Sequence, residues 1–296
     1  MDSKLSPHYF YTEDGTRIFY KCNFDTAGTP PDSPVWVFNY GLVCNMAHWE
    51  HQLNHFAQQG VPILIHDYRA HYNSSGQCDI ASCTFANIYQ DLQQLLSSLG
   101  VKKVMMLGHS MGVNITLEYA FRHPDQLVGV VLISGSVFPP QDIMFDSNII
   151  DLVEPYISWV ATNFNRPYEH FWSKLFMLPF ARSIVHSGGF NTEQVPQEFV
   201  HTYLKKLGQL PHQIFWKHLE EMRNHDIINH LESIKTPALI MGGDRDKIIP
   251  NYLQQILSKY LVNSQLYIIK DGSHVPQVDF PDTVNQRIDR FAQSLV

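Results

Sequence analysis

Basic charge is scarce in this chain. Its 21 lysines and arginines stand against 28 aspartates and glutamates, a formal net charge of −7. They form no stripe that could track a phosphate backbone, which excludes nucleic acid as a partner. Cysteine is scarce too: Cys22, Cys44, Cys78 and Cys83 are all there are. None makes a C-x-x-C pair, and no histidine pattern completes a zinc set. Neither a disulfide scaffold nor a metal site is therefore expected, and the thiols read as reduced ones in a cytoplasmic protein. The sixteen histidines are scattered and form no metal-binding tract. No apolar run approaches the roughly 18 residues of a membrane-spanning helix, so no integral membrane contact is expected. The first residues, MDSKLSPHYFYTEDG, are polar and acidic and carry no signal-peptide core. Internal repeats and low-complexity tracts are missing as well.

What the sequence does have is rhythm. HYFYTE and TRIFYKCNF flank Asp14-Gly15 and read as a hairpin. VWVFNY and VPILIHDY are short apolar runs of buried-strand type, and residues 48–59 between them have helical character. Residues 84–99 place Ile88, Leu92, Leu95, Leu96 and Leu99 on one helical face. Residues 127–133 form another apolar run, and after a break PALIMGG and SQLYIIK add two more, each followed by a helical stretch. The alternation implies an α/β fold with a mostly parallel, eight-stranded sheet and helices on both faces. From about 136 to 229 no strand is convincing, and Trp159, Phe164, Phe171, Trp172, Phe176, Phe180, Phe215 and Trp216 cluster there. We expect a helical cap, 136–229, inserted after the sixth strand into a core made of 1–135 and 230–296.

Residues 104–112, VMMLGHSMG, carry the chemistry. An apolar strand runs into Gly108-His109-Ser110-Met111-Gly112, and a helical stretch follows. A strand, a sharp turn with a central serine and a helix make a nucleophile elbow, with Ser110 at its tip beside the backbone N–H groups of the helix start. A serine hydroxyl needs a base, and the base needs an acid to orient it. Both belong in loops beyond the carboxyl ends of later strands. The loop after PALIMGG offers Asp244 and Asp246, and the loop after SQLYIIK offers His274, the one histidine beyond the last predicted strand.

Over nearly its whole length the chain resembles the α/β-hydrolase superfamily, in its lid-bearing branch of esterases, lipases and related hydrolases. The resemblance implies that Asp246 is the acid, because Gly243 and Pro250 match the family's frame around it. It implies His274 as the base in Gly272-Ser273-His274, and an oxyanion hole made by the N–H groups of Met111 and Leu42. The chain departs from the family pattern twice. Tyr40 stands where a histidine usually precedes Gly41. In Asp67-Tyr68-Arg69-Ala70-His71-Tyr72-Asn73-Ser74, Ala70 and Tyr72 replace two glycines of a D-x-R-G-x-G-x-S stretch. That stretch reads as structural, His71 included, and Cys44 reads as a small buried apolar residue.

A serine at the elbow excludes the aspartate chemistry of haloalkane dehalogenases and epoxide hydrolases. The aromatic, leucine-rich insertion favours an apolar acyl or aryl substrate. The expectation is a serine hydrolase that cleaves a carboxylic ester or thioester through a Ser110-Asp246-His274 triad and an acyl-enzyme, with no cofactor and no metal. The alternatives are a carbon–carbon bond hydrolase of a dienoic keto acid, cofactor-free perhydrolysis, and a triad-retaining ligand sensor with little turnover.

Overall fold

The computed structural model describes residues 5–74, 76, 78–138, 156, 163, 165–178, 181, 190–191 and 193–295. Eight strands form one sheet: β1 (Ser6–Tyr11), β2 (Arg17–Cys22), β3 (Val35–Asn39), β4 (Ile63–His66), β5 (Val104–His109), β6 (Leu127–Ile133), β7 (Ala238–Gly243) and β8 (Ser264–Ile269). Their order is β1-β2-β4-β3-β5-β6-β7-β8. The hairpin turns at Gly15, whose φ of +81° suits a residue without Cβ. β2 runs antiparallel to both β1 and β4, and the remaining pairings are parallel. The mostly parallel sheet expected from the alternation is the one found.

The central strands β3, β5 and β7 are buried along their whole length, as strands covered on both faces must be. Alternate residues serve the two faces. Val35 and Val37 join Leu92, Leu117 and Leu257 in one core. Trp36 and Phe38 join Phe56, Ile288 and Phe291 in the other. Helices Phe85–Ser98, Met111–Arg122 and Asn251–Tyr260 feed the first core, and helices Glu50–Gln58 and Pro281–Gln293 the second. The helix expected over 48–59 is divided: a 3₁₀ turn over Met46–Trp49 precedes the α-helix. Asn45 starts that turn, its side-chain oxygen accepting the Ala47 N–H at 2.9 Å.

After β6 the described residues hold no strand until β7. They contain helices Asn165–Leu175, Gln197–Leu207 and His212–Asn224. Trp172, Leu207, Leu210 and Ile214 pack on Val43, Ala70 and Cys83, which belong to loops following β3 and β4. Phe190, Val200 and Leu204 pack on Val275 and Val278, just past His274. The helical segment thus seats on the carboxyl-end loops of the sheet. Of the aromatics expected there, Trp172 is buried and Phe171 is 55% exposed. Trp159, Phe164 and Phe180 lie outside the described residues.

Candidate active site

Ser110 sits between β5 and the helix Met111–Arg122, with φ +53° and ψ −122°. Such a backbone costs on the order of 1–3 kcal/mol and persists only where its surroundings impose it. They do so here. The Ser110 N–H donates to the Ile133 carbonyl of β6 at 2.9 Å, and the Ser110 carbonyl accepts the Val113 N–H at 2.9 Å. The turn is tight enough that a Cβ on Gly108 would stand 2.5 Å from the Gly112 carbonyl oxygen.

His274 approaches from the loop after β8. Its Nε2 lies 3.1 Å from Ser110 Oγ, and its Nδ1 lies 2.9 Å from Asp246 Oδ2. That pair of bonds sets the tautomer: Nδ1 carries the proton donated to Asp246, and Nε2 is the lone pair facing the hydroxyl. The Asp246 side chain is fully buried. Its other oxygen accepts the N–H groups of Ile248 at 2.9 Å and Ile249 at 2.8 Å. Both oxygens of the buried carboxylate are therefore hydrogen-bonded. Asp244 is exposed and plays no part in this chain of bonds. Arg245 pairs with Asp271, not with either aspartate of its own loop.

Two further contacts hold the His274 loop. His109 Nε2 donates to the His274 carbonyl at 2.9 Å. Asp279 accepts the Ser273 N–H at 2.6 Å; burial raises its carboxyl to about 6. His109 is fully buried. Burial, reinforced by His274 and His48 nearby, holds its imidazole far below the usual histidine range, so it is a neutral donor.

The loop after β3 passes directly over the serine. A Cβ on Gly41 would stand 2.8 Å from Ser110 Cβ, so only glycine fits. Leu42 follows it, and Met111 is the first residue of the elbow helix. Among the described residues no acceptor takes the N–H of Leu42 or of Met111. Tyr40 is fully buried and braces this loop: its hydroxyl accepts the Tyr68 N–H at 3.1 Å, and its carbonyl accepts the Tyr68 hydroxyl at 2.7 Å. Tyr72 braces it again, donating to the Cys44 carbonyl at 2.9 Å. Cys44 is buried beside Gly41. Among the described residues no cluster of three histidine, cysteine or acidic side chains is placed to hold a metal, and no helix is long and apolar enough to cross a membrane.

Residues 34–281 match the family model described as alpha/beta hydrolase fold. The chain is an α/β hydrolase. It is 24% identical over 289 residues to the bifunctional esterase/perhydrolase DCH of Acinetobacter calcoaceticus, covering 97% of this chain and 99% of that one. It is 24% identical to the protein ABHD8 of Mus musculus over 87% of its own length, but spans only 54% of that relative. In three dimensions it is similar to the enol-lactonase of Burkholderia xenovorans LB400, with a TM-score of 0.77 at 18% identity, covering 97% of this chain and 100% of that one.

Against that family the two sequence departures acquire a physical reading. Ala70 and Tyr72 replace glycines, yet both keep positive φ, +62° and +37°. Both side chains therefore sit in a backbone region that L-residues avoid. Tyr72 offsets part of the cost through its bond to the Cys44 carbonyl. His71, read as structural, is buried and stacks on His218 of the helical segment at 5.0 Å. Sequence reasoning missed His109, Tyr72 and Asp279 as supports. Only His109 carried a signal, as the residue preceding the serine.

Proposed function

We propose that the chain is a serine hydrolase that cleaves a carboxylic ester or thioester of an apolar acyl or aryl substrate through an acyl-enzyme. One observation carries the reading: Ser110 Oγ, His274 and the buried Asp246 carboxylate lie in an unbroken line of hydrogen bonds, 3.1 and 2.9 Å, on a strained elbow. In this reading His274 Nε2 takes the Ser110 proton as Oγ attacks the substrate carbonyl. The negative charge that develops on the carbonyl oxygen meets the N–H groups of Leu42 and Met111. Imidazolium formed at His274 is stabilised by Asp246, and it returns the proton to the departing alkoxide or thiolate. Water, deprotonated by His274, then releases the acid and restores Ser110.

The residues 136–229 act as a cap over this site in the same reading. Its support is the packing of Trp172, Leu210 and Ile214 on Val43 and Ala70, and of Phe190 and Leu204 on Val275. Apolar walls of that kind favour uncharged acyl groups, because a buried unpaired charge costs several kcal/mol, on the order of magnitude. The site operates without a cofactor or metal, and the protein works in the cytoplasm on a small-molecule substrate.

Steady-state turnover of p-nitrophenyl esters of graded acyl length tests the proposal. The expected result is multiple turnover that is lost in Ser110→Ala, with short to medium acyl chains preferred. A single turnover per molecule would favour the ligand-sensor reading. The esterase/perhydrolase relative that matches the full length motivates one added arm. With hydrogen peroxide present, attack of peroxide in place of water on the acyl-enzyme would give a peracid.

A further inference from the structure

Two of the four cysteines meet. Cys78 Sγ and Cys83 Sγ are 3.9 Å apart, whereas Cys22 lies on β2 and Cys44 in the loop after β3, both buried. The chain doubles back between the pair by a single 3₁₀ turn, Ile80–Ser82. Asp79 caps that turn by accepting the Ala81 N–H at 3.1 Å, and Cys83 N–H donates to the Ile80 carbonyl at 3.0 Å. The turn brings both side chains to the same side. Cys78 is half-buried and rests against Ser82 Oγ at 3.1 Å. Cys83 is fully buried and packs with Val43, Ala70, Trp172 and Ile214 at the seat of the helical segment.

We propose that Cys78 and Cys83 are a redox pair that closes reversibly into a disulfide by exchange with a low-molecular-weight disulfide. The sulfurs are already in van der Waals contact at 3.9 Å, and closure draws them to the S–S bond length of about 2.05 Å. The two sulfurs have distinct tasks. Cys78 is the one a reagent can reach. Burial, and then the neighbouring Cys78, push the Cys83 thiol up to about 12, so it stays protonated in the resting state. Cys78 sulfur therefore attacks RSSR, forming Cys78–S–SR, and its proton passes to the departing RS⁻ to give the first RSH. Cys83 sulfur then attacks Cys78 sulfur, its proton passing to the departing RS⁻. The sum is two protein thiols oxidised to one disulfide and RSSR reduced to two RSH. In a reducing compartment the pair rests as thiols and closes only under oxidative challenge.

Glutathione disulfide added to the reduced, full-length protein tests this. Arg69 and Lys102 bound one tryptic peptide, 70–102, that contains both cysteines. After oxidation, thiols alkylated by N-ethylmaleimide under denaturing conditions should fall from four to two. Peptide 70–102 should be lighter by two hydrogen atoms and carry no glutathione. In Cys83→Ser the reaction should stop at the first step, with glutathione retained on Cys78, and dithiothreitol should reverse both products. Four alkylated thiols after treatment of the wild type would overturn the proposal. So would a glutathione adduct as persistent in the wild type as in Cys83→Ser.

Discussion

His109 Nε2 donates to the backbone carbonyl of His274 across 2.9 Å, so the residue that precedes the serine grips the loop that carries His274. The bond ties the end of β5 to the loop after β8, far apart in sequence, and depends on a neutral, buried imidazole. His109→Phe keeps an aromatic ring, slightly larger than imidazole, and removes the donor. It should lower kcat by about 10²-fold, the effect of a misplacement on the order of 1 Å, and leave KM nearly unchanged. His109→Gln restores an N–H donor and should recover part of that loss. Steady-state kinetics on a p-nitrophenyl ester check both; a Phe variant as fast as the wild type would contradict the grip.

Gly41 and Tyr72 act on the other side of the serine. Gly41→Ala sets a Cβ 2.8 Å from Ser110 Cβ and, in the proposed mechanism, moves the Leu42 N–H away from the reacting oxygen. Loss of one such donor costs about 10²–10³-fold in kcat, and Gly41→Ala should fall in that range. Tyr72→Phe should lose much less, about tenfold, because Tyr68 still holds the Tyr40 carbonyl. Comparison of kcat and of thermal midpoint for both variants separates a displaced loop from a destabilised fold.

Asp246 and Asp244 share a loop but not a role. Asp246→Asn keeps the shape and loses the charge and the acceptor that fix the His274 tautomer, so kcat should fall on the order of 10⁴-fold. Asp244→Asn should be close to wild type. A larger loss from Asp244→Asn than from Asp246→Asn would reverse the assignment.

Those two aspartates show how far the sequence alone reaches. The eight strands were legible because apolar runs of four to seven residues between turn signals have few other readings, and the elbow because Gly108 and Gly112 bracket Ser110 in a strand-to-helix setting. Which aspartate turns inward was not fixed by composition or spacing, since both precede the same helix; the frame of a resembling family singled out one of them. Of the supports, only His109 left a trace, in its place just before the serine. Nothing in Ala70 or Tyr72 announces positive φ, because the backbone shape there is imposed by packing that glycine would otherwise make easy. His109 shows the same limit: its partner is a carbonyl 165 residues later, and backbone partners leave no mark in a sequence. The cap's helices were legible as a loss of rhythm, whereas the outward position of Phe171 was not.

Buried histidines govern the acid side of stability. Burial holds His48 and His66 at about 3 and His71 at about 4, and it holds His109 and His218 well below the ordinary 6.5. These groups are depressed in the fold, so the unfolded chain binds protons that the fold refuses. The stability they confer is present above pH 6.5 and is lost as pH falls. Asp67, Asp91 and Asp279 are raised to about 6, burial being the largest cause in each. They work in the opposite direction between about 6 and the ordinary 3.8, where the fold takes protons first. These five histidines outweigh the three aspartates, so the calorimetric midpoint should drop steadily from pH 7 to pH 5. A midpoint that is flat or rising over that interval would show that these imidazoles are charged in the folded protein.

The serine itself is the centre of the account, and an active-site-directed fluorophosphonate reads it most directly. Intact mass spectrometry of the wild type should show one covalent adduct per chain, mapped to Ser110. Labelling should be absent in Ser110→Ala and strongly slowed in His274→Ala, with both variants folded by circular dichroism. Equal labelling of the wild type and Ser110→Ala, or an adduct on any other residue of the wild type, would contradict it.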